Sequence, residues 1–218
     1  MFLSQGETSA PHQIGLKKIN SDDLSAAPVV SAPDRVVDLR GHIVGQALSP
    51  DNRQLYVNVR RWPDNAAMDF DEPPPIASEI EMRVIDLADL TCRDEMLTGH
   101  VGYTDSDSAF YIYLDVGDRL VASGSEDGVG RIWDRHYRCL VAKALHDKCV
   151  NSAVFNPRDQ EMLVTGSDDH SIKIWRSRQN VRTMNVPKRE GVTAGGGDGP
   201  AANTRSRQQD RKKEEPLL

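Results

Sequence analysis

Short runs of alternating apolar and polar residues begin near residue 35 and predict a series of β-strands. Clear examples are VVDL at 36–39, QLYVNV at 54–59 and MRVIDL at 82–87. Turn-forming residues separate the runs, such as the Gly41-His42 pair and the Ser-Pro-Asp-Asn stretch at 49–52. Short runs with this punctuation indicate antiparallel strands joined by tight turns.

One stretch of the pattern occurs twice. The sequence VASGSEDGVGRIWD at 121–134 returns as LVTGSDDHSIKIWR at 163–176. A period of about 40 to 45 residues, with a Gly-Ser-acid-Asp turn and a closing Trp, is typical of one blade of a β-propeller. The chain therefore resembles the WD-repeat family. The resemblance implies an all-β fold, a WD-repeat β-propeller of about three blades, and an incomplete ring, because propellers usually have four to eight blades.

The pattern also divides the chain. We expect a flexible leader at 1–33, with a short edge strand in IGLKKI as one possibility, and a disordered tail at 187–218 because few apolar residues occur there. Between them lies the propeller segment, 34–186. Its blades are predicted at about 35–90, 98–140 and 145–186, with a proline-rich loop insertion at 61–81. FYIYLD at 110–115 is the predicted inner strand of the second blade, and VRTMNV at 181–186 the outermost strand of the third.

Composition narrows the possible functions. A net charge of -6 without a basic stripe on the folded part disfavours a nucleic-acid partner. No apolar run reaches the length of a membrane span, so we expect no membrane partner. The three cysteines match neither a zinc site nor a disulfide framework and predict reduced thiols. We therefore expect a cytoplasmic protein, with a nuclear location also possible, and neither a metal nor another cofactor.

The WD-repeat resemblance implies a hydrogen-bonded tetrad of His, Ser or Thr, Asp and Trp in each regular unit. The tetrads would be His100, Ser123, Asp127 and Trp133, and then His146, Thr165, Asp169 and Trp175. A buried Asp needs donors and a buried indole N–H needs an acceptor, so a His between them satisfies both. We expect these residues to stabilise the blades.

Ser, His and Asp also occur together in hydrolases, which makes a propeller hydrolase one alternative. No Ser of these sets lies in a Gly-x-Ser-x-Gly elbow. GSEDGVG at 124–130 lacks the Gly-Lys-Ser/Thr ending of a phosphate-binding loop. We therefore predict no catalytic residue and a protein that is not an enzyme.

A closer resemblance rests on four stretches: GHIVGQALSPDNRQLYVNVRRWP, the EPPPIASEI loop, IWDRHYRCLVAKALHD, and VNSAVFNP followed by TGSDDHSIKIWRS. They resemble the F-box/WD-repeat family. That resemblance implies the substrate-recognition end of an SCF-type cullin-RING ubiquitin ligase receptor, in a fragment or truncated form. The implied partners are a protein substrate and, if an F-box exists elsewhere, a Skp-type adaptor and a cullin. Trp133-Asp134-Arg135-His136 partly matches the motif with which some receptors dock on a cullin-4 adaptor. A general WD-repeat scaffold unrelated to ubiquitin is the alternative.

In the WD-repeat family a partner would bind the narrow face, formed by the loops around His42, His100 and His146. The candidate partner contacts are Trp62, Tyr103, Asp105, Arg131, Arg135 and Lys173.

Overall fold

The computed structural model describes residues 2–5, 12–17, 33–64, 75–105 and 111–184. These residues form antiparallel sheets, which we name in chain order. The leader sheet contains β1 (Phe2–Gln5), β2 (Gln13–Leu16) and β3 (Arg35–Asp38). Blade A contains β4 (Gly41–Leu48), β5 (Gln54–Arg61), β6 (Glu79–Asp86) and β7 (Thr91–Val101). Blade B contains β8 (Leu114–Val116), β9 (Leu120–Ser123), β10 (Val129–Asp134) and β11 (Leu140–Leu145). Blade C contains β12 (Val150–Asn156), β13 (Asp159–Ser167) and β14 (Ile172–Arg176).

Each blade is a meander in which strands pair in chain order, as expected for consecutive strands joined by tight turns. A short helix, α1 (Arg178–Met184), follows β14. The predicted all-β class, with sheets arranged as an incomplete propeller, is confirmed. Within the part of the chain that the structure describes, no helix has the length and apolarity of a membrane span.

Strand β5 shows how the alternating pattern builds the core. Leu55, Val57 and Val59 are buried in the cluster between blade A and the leader sheet. Tyr56 points the other way, into the cluster shared with blade B, where Trp133 is also buried. Because successive residues of a strand point to opposite faces, both faces of this strand are covered.

Blades B and C pack in the same way. Ala122 and Ile132 of blade B share a buried cluster with Phe155, Leu163 and Trp175 of blade C. Trp175 is only 1% exposed. Burying a side chain of this size removes a large apolar area from water, so this contact contributes strongly to the stability of the pair of blades.

The first strands of the three blades meet through the backbone. The amide of Ile112 donates to the carbonyl of Val44 over 2.7 Å, and the amide of Tyr113 donates to the carbonyl of Asn151 over 2.8 Å. The close approach requires glycine nearby, because a Cβ on Gly124 would lie 2.0 Å from the carbonyl oxygen of Val150. The segment before β8 is therefore fixed between blades A and C.

The leader agrees with its prediction in part. Residues 14–16 of IGLKKI belong to β2, as the strand alternative predicted, but β2 pairs with both β1 and β3 and is therefore a central strand and not an edge strand. Ile14 is fully buried and Leu16 is 4% exposed. The short apolar fragment becomes ordered because blade A offers it an apolar face, which a short strand needs for stability. Residues 18–32 lie outside the described residues.

The blade boundaries also differ from the sequence periods. Strand β7 spans the predicted gap between the first two blades, so His100 lies in the last strand of blade A and pairs with Ile80. The predicted outermost strand of blade C, VRTMNV, is wrong over 181–184, which belong to α1. Residues 185–186 and the tail at 187–218 lie outside the described residues. A segment at the edge of a sheet can pair with a strand on one side only, so strand pairing favours its extended conformation less strongly.

The predicted loop insertion is shorter at both ends, since β5 extends to Arg61 and β6 begins at Glu79. Residues 65–74 of that loop, including Pro73 and Pro74, lie outside the described residues. Within FYIYLD the described strand begins at Leu114, and Ile112 and Tyr113 instead bond to the two neighbouring blades.

Candidate protein-interaction face

Blade C brings the four predicted residues of its tetrad into one hydrogen-bonded chain. His146 Nδ1 lies 2.9 Å from Asp169 Oδ2, and His146 Nε2 lies 2.7 Å from Thr165 Oγ1. The indole N–H of Trp175 donates to Thr165 Oγ1 over 2.8 Å. A proton on Nδ1 satisfies every contact, because the carboxylate can only accept and the hydroxyl then donates to Nε2. The network ties a loop, a turn and two strands together.

The Asp169 carboxylate is held strongly in its charged form. Ser171 donates to it through its hydroxyl over 2.6 Å and through its amide over 2.9 Å. Hydrogen bonds from the Ser171 hydroxyl and then from His146 lower the pKa of Asp169 well below its ordinary range. A carboxylate that accepts several hydrogen bonds prefers to stay ionised, so this turn keeps its negative charge.

The Thr165–His146–Asp169 order resembles a hydrolytic triad, but the site is closed. Thr165 is 0% exposed, and the His146 side chain is 0% exposed. The Thr165 oxygen already accepts the indole proton of Trp175. A nucleophile must reach a substrate carbonyl, and this hydroxyl reaches only protein atoms. The arrangement can position a loop but has no access for a substrate.

Blade B does not assemble its predicted tetrad. His100 Nε2 lies 3.1 Å from Asn58 Oδ1, and Asn58 Nδ2 donates to Ser123 Oγ over 2.8 Å and to the Ile112 carbonyl over 3.0 Å. Trp133 contacts the His100 ring edge-on at a centroid distance of 5.2 Å. Asn58, which belongs to blade A, therefore occupies the centre of a network that joins two blades. Asn58 was not predicted from the sequence, because it lies in an apolar run and has no counterpart of the same type in the other repeats.

Burial sets the charge state of this second network. His100 is 0% exposed, and burial lowers its pKa to about 3. The ring is therefore neutral at ordinary pH. Among the described residues its Nδ1 atom finds no hydrogen-bond partner.

Asp127, the fourth predicted member, pairs with Arg131 instead. Arg131 donates to both carboxylate oxygens, over 3.0 Å and 2.6 Å. In blade C the repeat places Lys173 at the matching position, and its ammonium group donates to the Leu145 carbonyl over 2.8 Å. Both Arg131 and Lys173 were candidate partner contacts; Arg131 is engaged within blade B, and Lys173 of blade C bonds to the last strand of blade B.

A buried ion pair supports the loop that presents two other candidates. The Glu126 carboxylate accepts the amides of Tyr103 and Thr104 over 2.7 Å and 3.0 Å, and lies 4.0 Å from the Arg60 guanidinium. The Arg60 and Glu126 side chains are 3% and 8% exposed. Tyr103 is 63% exposed, and Asp105 is also exposed. The structure therefore presents Tyr103 and Asp105 on a loop with a fixed base.

Trp62 and Arg135, the remaining candidates, face inward. Trp62 is 6% exposed and packs beside the ring of His42. Arg135 donates to the carbonyls of Gly117 and Asp118, and its guanidinium lies 5.6 Å above the ring of Tyr56. Because Tyr56 belongs to blade A, Arg135 bridges blades A and B. Neither side chain is available to a partner without rearrangement.

The bridge by Arg135 lies in a cleft of about 480 Å³ between blades A and B. Tyr137, 77% exposed, stands at the rim of this cleft. Asp134 fixes the turn before it, because its carboxylate accepts the amides of His136 and Tyr137 over 2.8 Å each. The stretch IWDRHY thus forms an ordered turn between strands β10 and β11.

A pair of exposed tyrosines was not predicted from the sequence. Tyr111 and Tyr113 are 63% and 53% exposed, and their rings stack at a centroid distance of 6.0 Å. Ile112 between them is 1% exposed. The alternating pattern in FYIYLD could have indicated this pair, because the two tyrosines lie on one face of the segment and the buried isoleucine lies on the other.

Comparison with known proteins defines the class of this chain. Residues 93–134 and 138–176 match the model of the WD domain, G-beta repeat. Together with the sheets, this shows that these two segments are WD repeats.

The similarity to one group of relatives is much longer. F-box/WD repeat-containing protein 5 of Homo sapiens is 46% identical over 200 residues, which cover 86% of this chain and 35% of the relative. GID complex subunit 7 of Schizosaccharomyces pombe is 41% identical over 66 residues, 30% of this chain and 13% of the relative. E3 ubiquitin-protein ligase COP1 of Arabidopsis thaliana is 32% identical over 73 residues, 33% of this chain and 11% of the relative. The chain spans about a third of the length of the F-box/WD-repeat relatives it matches.

Proposed function

We propose that this chain is the protein-binding WD-repeat part of a substrate receptor of a cullin-RING ubiquitin ligase. The observation that carries the proposal is the 46% identity to F-box/WD repeat-containing protein 5 over 86% of the chain. The structure supports a binding role with the Tyr103 loop, which is exposed and held at its base by Glu126. Binding residues commonly lie on loops that a rigid scaffold positions.

A non-catalytic role fits the geometry. The Thr165 hydroxyl is enclosed by His146 and Trp175. The Ser123 hydroxyl accepts from Asn58 and donates to the carbonyl of Gly124 over 3.2 Å. Neither hydroxyl has the free approach that acyl transfer needs. The chain would hold a substrate for modification by other subunits, in the cytoplasm or the nucleus.

The route to the ligase is the finer part of the proposal. Arg135, the candidate contact for a cullin-4 adaptor, donates to two backbone carbonyls of its own blade. Using it for an adaptor would break these bonds and leave the carbonyl of buried Gly117 to be satisfied in another way, which is costly. We therefore propose recruitment through a Skp-type adaptor and an F-box, the arrangement that the name of the long relatives indicates.

Affinity purification of the endogenously tagged gene product, with any segments that it carries beyond these residues, from cells of its own source tests the proposal. We expect cullin-RING subunits in the purified material, together with a protein that becomes ubiquitinated when the ligase is reconstituted. Tyr103→Ala combined with Asp105→Arg should reduce that protein but keep the cullin-RING subunits. The matched control is Tyr137→Ala, which removes an exposed tyrosine on a different loop. Binding partners recovered without any cullin-RING subunit would contradict the ligase assignment.

A general WD-repeat scaffold remains the second candidate. The observation that favours it is the match to nuclear distribution protein nudF 1 of Talaromyces marneffei, 39% identical over 61 residues, whose name does not refer to ubiquitin. The same purification decides between them, because a scaffold would retain its partners without ubiquitination of any of them.

A further inference from the structure

The stacked tyrosines in front of blade B form a fixed aromatic surface. Tyr113 is anchored by its amide, which donates to the carbonyl of Asn151, and by its carbonyl, which accepts the amide of Gly124 over 3.2 Å. Ile112 is anchored on the other side by Val44. Since the backbone bonds to both neighbouring blades, the rings of Tyr111 and Tyr113 keep their positions although more than half of each is exposed. A pre-ordered ring pair loses little conformational entropy on binding.

Carboxylates lie beside this surface. The side chain of Asn151 donates to the carboxylate of exposed Asp168 over 3.0 Å, which links Asp168 to the backbone partner of Tyr113. Burial first, and then the charges of Asp168, Glu126 and Asp127, raise the pKa of the neighbouring Cys149 thiol to about 12. The negative potential at the start of β12 would attract a cation and repel a phosphate or a carboxylate.

We propose that Tyr111, Tyr113 and Asp168, here called the tyrosine platform, bind an arginine or lysine side chain of a protein segment. The faces of the rings attract a cation, and Asp168 adds an ionic partner at one end. The same chain already contains this interaction, since the guanidinium of Arg135 lies over the ring of Tyr56 at 5.6 Å. Among the described residues, no cation occupies the rings of Tyr111 or Tyr113. The inference rests on the proposed protein-binding function and specifies the chemistry of the bound segment.

The test uses the full chain and four capped pentapeptides, Gly-Gly-X-Gly-Gly, in which X is Arg, Lys, Gln or Glu. Titrations are followed by the aromatic signals of Tyr111 and Tyr113 in two-dimensional NMR spectra. We expect saturable shifts with the Arg and Lys peptides and weaker or no shifts with the Gln and Glu peptides. Equal affinity for the Gln and Arg peptides would overturn the proposal.

Variants separate the contribution of the rings from that of the charge. Tyr113→Leu and Asp168→Asn should each weaken binding of the Arg peptide about two- to fivefold, whereas Tyr113→Phe keeps the ring face and stays within about twofold. The matched control is Tyr137→Leu, which removes a more exposed tyrosine elsewhere and should leave the affinity unchanged. Because these side chains are exposed, thermal melts should show all variants folded. Unchanged binding by Tyr113→Leu would overturn the proposal.

The outcome is independent of the ligase assignment. If the chain purifies with cullin-RING subunits but prefers no cationic peptide, only the chemistry of the bound segment is wrong. If the peptides bind as expected and no cullin-RING subunit is recovered, the tyrosine platform stands and the ligase assignment fails.

Discussion

Blades B and C carry the same repeat, yet only blade C closes its His–Asp–Thr–Trp network within itself. Two positions near the acidic turn differ between the blades. Where blade C has Ser171 and Lys173, blade B has Val129 and Arg131. Arg131 takes both oxygens of Asp127, whereas Lys173 leaves the Asp169 carboxylate to Ser171 and His146. Matching tetrad residues therefore did not produce matching networks.

Asn58 completes the contrast. With Asp127 engaged by Arg131, His100 bonds to an amide that comes from blade A. The network of blade C is local, whereas the network of blade B holds two blades together. Loss of a local network should loosen one sheet, and loss of the shared network should separate two.

The largest effect should come from the tryptophan of the closed network. Trp175→Ala is expected to lower the free energy of unfolding by about 3 to 5 kcal/mol, the usual cost of deleting a large buried aromatic side chain. Trp175→Phe should cost about 1 to 2 kcal/mol, partly because Thr165 loses the indole donor. Urea unfolding followed by circular dichroism measures both values.

The matched control is Trp133→Phe in blade B. Trp133 is 2% exposed, and within the described residues its indole forms no hydrogen bond to a side chain. The cost of this change should be smaller than that of Trp175→Phe. Equal costs would show that the Thr165 bond adds nothing to blade C.

Asn58→Ala should have the next largest effect, about 2 to 3 kcal/mol, because the Ile112 carbonyl and His100 lose their partner inside the protein. Amide hydrogen exchange should speed up at Ile112 and Tyr113, which lie between the blades. Thr165→Ala is the comparison, and it should increase exchange mainly in blade C. Exchange confined to β5 in Asn58→Ala would contradict a shared network.

The repeat made much of this fold predictable from sequence. The alternating pattern predicted the strands, and the WD-repeat resemblance implied that Thr165, Asp169 and Trp175 belong to one network. The short range of these contacts explains the success, because all three residues lie within a single hairpin. Local sequence patterns describe local structure well.

The contacts between blades could not be predicted in this way. Asn58 and Ser123 are far apart in sequence, and no spacing rule links them. From the sequence IWDRHY the charged side chain of Arg135 is expected to be exposed, but its position over Tyr56 depends on how blades A and B pack. The leader strand β2 likewise becomes ordered only when blade A covers Ile14. Such features depend on tertiary packing, which overrides local preference.

Acidification offers a smaller test of the shared network. The pKa of His100 is about 3 in the folded chain and about 6.5 in a model peptide. Between these values the unfolded state binds one more proton, so this residue stabilises the fold fully above pH 6.5 and progressively less as the pH falls. The expected loss is about 1.4 kcal/mol per pH unit.

His100→Gln should remove that contribution while keeping a donor for Asn58. The variant is expected to be less stable at pH 7, but its stability should change less between pH 6.0 and 5.0 than that of the unmodified chain. Urea unfolding at several pH values measures the two slopes. Parallel slopes would show that another group, such as half-buried His12, dominates this range.

The smallest effect should come from exchanging the residues that distinguish the two blades. Arg131→Lys removes the bidentate contact to Asp127. The side chains of Arg131 and Asp127 are 11% and 23% exposed. Because this partly buried ion pair still contacts solvent, the cost should be about 0.5 to 1 kcal/mol and should shrink in high salt.

The reciprocal change, Lys173→Arg, would let a guanidinium compete with His146 for Asp169. If Arg131 is what keeps blade B open, Lys173→Arg should weaken protection of the His146 loop in hydrogen exchange, whereas Arg131→Lys should leave His100 bonded to Asn58. Unchanged exchange in both variants would mean that the length of the loop after each His, rather than the cation, decides which network forms.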